Sequence, residues 1–118
     1  GINEIRRHPI ICKLLKQQKA ANRFIGCICA APLLLLDAGL IENLRYTCYP
    51  SVKDELPDAL EDPVVQDGSI ITSRGPGTAT EFSLQLIRAL INDVTARKVA
   101  ESVCCSDDMV RNFISRIA

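Results

Sequence analysis

Ile25-Gly26-Cys27-Ile28-Cys29-Ala30-Ala31-Pro32, followed by Leu33 to Leu36, is the stretch on which the fold turns. An apolar run ends on a cysteine, passes through small residues and a proline, and becomes leucine-rich. The spacing predicts strand, sharp turn and helix, with Cys29 on the turn. A side chain so placed stands exposed at the carboxyl end of a sheet, beside the first amides of a helix. A helix N-terminus favours a thiolate. Cys29 is therefore the candidate nucleophile.

Upstream of that stretch, Gly1 to Arg7 carries no clear pattern. His8-Pro9 reads as a helix start, with proline suited to the first helical position. Ile10, Ile11, Leu14 and Leu15 form an apolar stripe on a helix reaching about Asn22. Phe24 to Cys29 lacks polar alternation, as expected of a strand covered on both faces in a parallel sheet. Downstream, Ala31 to Ala38 predicts a helix that Gly39 ends in a left-handed cap. Arg45 to Tyr49 has strand propensity and stops at Pro50. Lys53 to Leu56 suggests one helical turn within a loop. Pro63 to Gln66, Asp67-Gly68, and Ser69 to Ser73 predict a hairpin turning on Asp-Gly. The loop Arg74-Gly75-Pro76-Gly77-Thr78 opens a long helix lined by Phe82, Leu84, Leu86, Ile87, Leu90 and Ile91, with Glu81 in its first turn. Asn92-Asp93 breaks it. Thr95 to Cys104 predicts a shorter helix with Val99 and Val103 on its apolar side. Asp107-Asp108 would cap a last one bearing Met109, Val110, Phe113, Ile114 and Ile117.

Four strands alternating with about five helices make an α/β chain. The count also exposes a gap. A strand as apolar as Phe24 to Cys29 wants parallel neighbours on both sides, and four strands are few for a doubly wound sheet. Further strands are expected upstream of Gly1.

The totals narrow the function. A chain of 118 residues has room for one domain, and 47% hydrophobic residues can fill its core. Fourteen Lys plus Arg balance fourteen Asp plus Glu, so no net field draws nucleic acid or an anionic membrane. Tryptophan is absent and other aromatics are few, which argues against a platform for stacking bases. The six cysteines do not read as a disulfide framework, because the chain is rich in leucine and isoleucine and strongly periodic. Cys27 and Cys29 are one residue apart, not the wider spacing of zinc knuckles, and His8 is the only histidine. No metal site is expected. Free thiols in a reducing, cytoplasmic compartment fit best. No basic-then-apolar leader opens the chain and no apolar run reaches the length of a membrane span.

Three segments together resemble the DJ-1/ThiJ/PfpI family. Ile28-Cys29-Ala30-Ala31-Pro32 looks like its nucleophile-elbow motif, usually Ile-Cys-Ala-Gly-Pro. Asp67 through Phe82 resembles the hairpin, loop and helix start of the DJ-1 branch almost residue for residue. Leu44 to Pro50, with Lys53-Asp54, is similar to the segment between them. The resemblance runs from about Gly1 to about Val103. It implies a flavodoxin-like sandwich with an elbow comparable to that of class I glutamine amidotransferases. It also implies that residues 1–118 are the carboxyl-terminal part of one such domain. In the family the amino-terminal part supplies an acidic residue that hydrogen-bonds the cysteine, and a Gly-Gly turn whose amide helps form the oxyanion hole. The amino-terminal strands are thus expected on a separate chain, an amino-terminal fragment of the same protein, or in a missing segment, and the assembled domain is expected to form a homodimer.

The resemblance implies cofactor-independent chemistry of the glyoxalase or deglycase type on small reactive aldehydes. Cys29 would be the nucleophile and the Ala30 amide an oxyanion donor. Ala31, Tyr49, Arg74, Gly75, Pro76 and Gly77 would line the pocket, with Arg74 orienting an anionic substrate or product. An oxidative-stress sensor or chaperone acting through oxidation of Cys29 is the alternative. Tyr49 stands where many relatives carry a histidine, which argues against a histidine-dependent protease. Ala31 replaces the usual glycine and narrows the turn. Cys27, two residues back on the strand, reads as core; Cys12 reads as packing; and vicinal cysteines such as Cys104 and Cys105 rarely pair.

Overall fold

The computed structural model describes residues 1–111. Three strands, β1 (Ile25–Ile28), β2 (Val64–Asp67) and β3 (Ile70–Ser73), form one sheet in the order β1-β3-β2. β1 runs parallel to β3, with Ile25 opposite Ile70 and Ile28 opposite Ser73. β2 runs antiparallel to β3, with Asp67 opposite Ile70. Asp67 is therefore still in the ladder, and the hairpin loop is Gly68-Ser69 rather than the expected Asp67-Gly68. Gly68 takes a φ of +58°, which glycine adopts without a Cβ clash.

The helices with described bounds are α1 (Ile2–Arg6), α2 (Pro9–Ala20), α3 (Pro32–Asp37), α4 (Ala79–Leu90) and α5 (Asp93–Ser102). One face of β1 is sealed, whereas the other is only partly covered, with Gly26 exposed, so the expected cover on both faces is incomplete. On one side Ile25, Cys27, Leu35 and Ile70 form a buried cluster, with Leu15 of α2 packed against it. On the other, Gly26 lies so close to α4 that a Cβ there would stand 3.1 Å from Phe82 Cζ and 3.2 Å from Leu86 Cδ2. In its own plane β1 has the expected parallel neighbour on one side only. Among the described residues no strand pairs with its other edge.

Several segments differ from expectation or add to it. Arg45 to Tyr49 is not a strand but an extended segment with a single bridge, Thr47 to Leu60. The Thr47 N–H donates to the Thr72 hydroxyl at 3.0 Å, so a side chain takes the place of a strand carbonyl. The segment still serves as a wall, because Tyr46 and Cys48 form a second buried cluster with Leu33, Leu56 and Ala59. The turn expected at Lys53 to Leu56 is present, closed by Leu56 N–H donating to Lys53 O at 3.1 Å, and it continues a 3₁₀ turn at Pro50–Val52 started by proline. Gly1 to Arg7, which showed no pattern, contains α1. Five residues cannot hold a helix alone. Here Arg6 anchors it, its guanidinium forking to Asp37 at 2.8 and 2.9 Å and to Glu55 at 3.1 and 3.0 Å. The hydrogen bond to Asp37, then that to Glu55, hold the Arg6 pKa above its ordinary value. Finally, Leu90, Ile91 and Val103, expected on covered faces, are exposed, as are Ile10 and Leu14 of α2. Leu90 and Ile91 sit where α4 turns out toward α5, beyond the buried Leu84 and Gln85.

Helix ends follow local chemistry. Gly39 caps α3 at φ +70°, with Gly39 N–H donating to Leu36 O and Leu40 N–H to Leu35 O. Asn92 begins α5, its side chain accepting from Thr95 N–H at 2.8 Å. Cys104, at φ +61°, ends it. Residues 107–111 start a further helical turn, while Phe113, Ile114 and Ile117 of the expected last helix lie outside the described residues. No described helix is long and apolar enough to cross a membrane.

Candidate active site

Cys29 follows the last residue of β1 and precedes α3 by two residues, with a φ of +65°. A non-glycine residue in the left-handed region is disfavoured by about 1–2 kcal/mol. Strain of this kind persists only where the surroundings hold it. Both backbone groups of Cys29 are held. Its N–H donates to Ser73 O at 3.0 Å, continuing the β1–β3 ladder by one residue, and its C=O accepts from Tyr49 N–H at 2.9 Å. The turn closes when Ala31 N–H donates to Ile28 O at 3.1 Å, and Pro32 starts α3. The side chain is half-buried and unpaired with any other cysteine. The next amide, Ala30 N–H, donates to no partner among the described residues, although Ala30 O accepts from Leu33 N–H. An unengaged amide adjoining a nucleophile is the geometry that an oxyanion needs.

The Tyr49 backbone is tied to Cys29 O, and Gly75, next to Arg74, packs on the Tyr49 ring. A Cβ added to Gly75 would lie 3.1 Å from Tyr49 Cδ1, so the loop backbone packs directly on the Tyr49 ring. Tyr49 keeps 40% of its surface exposed. The Arg74 N–H donates to Pro63 O at 3.3 Å and its Nη1 to Glu61 O at 3.4 Å, while its Nε is buried without a partner. Arg74 also lies near Cys48. Burial pushes the Cys48 thiol up, and the Lys53 and Arg74 cations act against that shift. Pro76 and Gly77 continue the loop in a 3₁₀ turn, Pro76–Thr78. Ala31 lies beside the elbow at the N-cap of α3.

Sequence reasoning missed the brace behind this wall. Ser73 Oγ donates to Pro63 O at 2.7 Å and contacts Thr78 Oγ1 at 2.6 Å. Gly75 N–H donates to Thr78 Oγ1 at 3.1 Å. Ser73 thus ties the Cys29 amide, through its carbonyl, to the Arg74–Thr78 loop, through its hydroxyl. Its place at the strand end, just before Arg74, was the only signal available. Cys27 is core, as expected, and burial pushes its thiol up to about 11. His8 stands at the N-cap of α2. Among the described residues, no three of the His, Cys, Asp and Glu side chains are placed to hold a metal.

The chain and its fold are similar to those of known proteins. The chain is 36% identical over 108 residues to the glutathione-independent glyoxalase DJR-1.2 of Caenorhabditis elegans, covering 88% of this chain and 58% of that protein. The crystal structure of Drosophila melanogaster DJ-1beta superposes with a TM-score of 0.83 at 35% identity, covering 88% of this chain and 58% of that one. Toxoplasma gondii DJ-1, solved in an oxidised form, superposes with a TM-score of 0.73 at 34% identity, covering 79% and 52%. The chain spans less than two thirds of the length of each. A profile of the DJ-1/PfpI family matches residues 1–89. With that match, and with the flavodoxin-like α/β fold and strained cysteine elbow beneath it, the chain belongs to the DJ-1/PfpI family.

Proposed function

We propose that this chain carries the nucleophilic half of a DJ-1-type active site, and that the assembled protein converts small dicarbonyls such as methylglyoxal or glyoxal to hydroxy acids without a metal or cofactor. The observation that carries the reading is the left-handed Cys29 with the unengaged Ala30 amide beside it. The activity in the name of the C. elegans relative supports it.

In the reaction the Cys29 thiolate adds to the aldehyde carbon, and the resulting oxyanion accepts from Ala30 N–H. A base removes the hydrogen on that carbon as a proton and delivers it to the neighbouring carbon. The product of that shift is a thioester, which water cleaves to the hydroxy acid and the free thiolate. The net change is addition of one water to the dicarbonyl. Arg74 orients the carboxylate that forms, and the Tyr49 hydroxyl donates where many relatives place a histidine. The base is assigned to a carboxylate on an amino-terminal fragment of the same protein. Residues 1–118 then form the carboxyl-terminal part of a single domain, which pairs with a second copy as a homodimer. The 58% coverage of relatives and the unpaired edge of β1 support this division. Six free thiols support a cytoplasmic setting.

A second reading, a redox sensor or chaperone, is favoured by one observation. Cys29 is half-buried, whereas Cys27 and Cys48 are buried with thiols pushed up by burial. Oxidation to sulfinic acid would then select Cys29 over its two nearest counterparts. A histidine-dependent protease has no support, with Tyr49 at the histidine position and His8 on another helix.

The deciding experiment is lactate formation from methylglyoxal by the purified protein and its Cys29→Ala variant. Turnover in the first and a loss of at least a hundredfold in the second is the expected result. Equal rates would sink the enzyme reading. Absence of turnover, together with selective gain of two oxygen atoms at Cys29 under mild peroxide, would move the protein to the sensor class.

A further inference from the structure

Cys104 and Cys105 close α5 and take no part in the Cys29 site. Cys104 occupies the left-handed region at φ +61°. Its N–H donates to Glu101 O at 3.1 Å, and the Cys105 N–H donates to Ala100 O at 2.9 Å. This pair of bonds commonly ends a helix with glycine at the left-handed position, and Gly39 fills that place after α3. A cysteine there is conformationally disfavoured. The two neighbours also face different surroundings. Cys104 is exposed. Cys105 is half-buried, packed against the cluster of Leu84 and Ala100 together with Val99 and Val110. It also lines a concavity of about 360 Å³ with Arg97, Asp107 and Arg111.

We infer that Cys104 and Cys105 form a second thiol site, a dithiol that hydroperoxides oxidise to a disulfide between adjacent residues, independently of Cys29. The accessible Cys104 thiolate attacks the peroxide O–O bond, becoming a sulfenic acid and releasing water or an alcohol. The Cys105 sulfur then displaces the sulfenic hydroxyl, which leaves as water with the Cys105 proton. Two thiol hydrogens are lost and one peroxide is reduced.

Geometry sets the character of this bond. A disulfide brings two Cβ atoms to roughly 3.5–4.5 Å and usually spans a Cα separation of 4.4–6.8 Å. Consecutive Cα atoms across a trans peptide are only about 3.8 Å apart. The ring is therefore strained, and strained disulfides are the readily reduced ones. Closing it draws Cys105 out of its contacts with Leu84 and Ala100 and takes Cys104 out of the left-handed region. Both capping bonds of α5 are lost. Release of the unfavourable φ at Cys104 offsets part of the ring strain. A glycine at position 104 would have capped the helix without this chemistry.

The test treats the reduced purified protein with equimolar hydrogen peroxide, followed by peptide mass mapping and hydrogen exchange. The peptide spanning both cysteines should lose two hydrogens within one chain and regain them with a monothiol. Exchange at the amides of Cys104 and Cys105 should rise at least tenfold. Cys104→Ser and Cys105→Ser should each abolish the change. Cys104→Gly should abolish it while keeping the cap amides protected, and Cys29→Ala should leave it intact. Free thiols at both positions under a dose that oxidises Cys29 would overturn the inference. So would cross-linking of Cys104 to another chain, or oxygen addition without loss of two hydrogens.

Discussion

Cys27 and Cys29 lie two residues apart on one strand end, yet burial separates their chemistry. The Cys27 thiol is pushed from 9.0 up to about 11 because its side chain is sealed between β1 and α3. The unfolded chain therefore loses this proton near pH 9 while the folded chain keeps it until about 11. Stability is fully present below about pH 9 and falls as pH rises toward 11, by about 2–3 kcal/mol from this group alone. Denaturant unfolding at about pH 8.5 and 10.5 checks this: Cys27→Ala, less stable at the lower pH, should lose less on going to the higher one. An unchanged pH slope would show that Cys27 ionises freely. The elbow at Cys29 was readable because it is a local affair, coded by an apolar run, a cysteine, small residues and a proline. The Tyr49–Gly75 contact and the Ser73–Thr78 brace were not readable, since each joins residues five or more positions apart through loops that only the tertiary fold brings together.

Among the elements, α4 and β1 meet at a glycine. A side chain at Gly26 would press on Phe82 and Leu86, its Cβ 3.1 and 3.2 Å from their ends, so they would have to give by a few tenths of an ångström. Gly26→Val should cost about 1–3 kcal/mol by overpacking. Adding Leu86→Ala should recover part of that loss, because the shortened side chain makes space. Chemical denaturation of the single and double variants measures the coupling, and strict additivity would refute the contact. Element identity was largely legible where periodicity spoke. The α2, α3, α4 and α5 helices stand close to where apolar spacing and turn residues placed them, and the hairpin forms with its turn one residue later than expected. The failures share a physical cause. The 45–49 segment has strand-like residues, but Thr72 offers it a hydroxyl in place of a ladder carbonyl. The α1 helix has no periodicity because it buries no residue, and an ion pair from outside its own sequence holds it.

At the scale of the whole molecule, Arg6 joins three separate parts of the chain: α1, the end of α3 at Asp37, and the loop residue Glu55. Its partners are partly exposed, so the network contributes modestly, about 1 kcal/mol, and salt screens it. Arg6→Met should lower stability by about that amount at low ionic strength and by less at high salt. Equal losses at both would assign the effect to packing rather than charge. Of the four non-glycine residues with positive φ among the described residues, Asn22 and Asn43 are of the kind that tolerates the left-handed region, and Cys29 and Cys104 are not. A redesign of this chain guided by thermal stability alone would therefore write glycine or asparagine at 29 and 104, gaining robustness while erasing the two thiols to which chemistry is assigned in the proposals above. The two cysteines mark the positions where the chain's identity and its optimum for folding point in opposite directions.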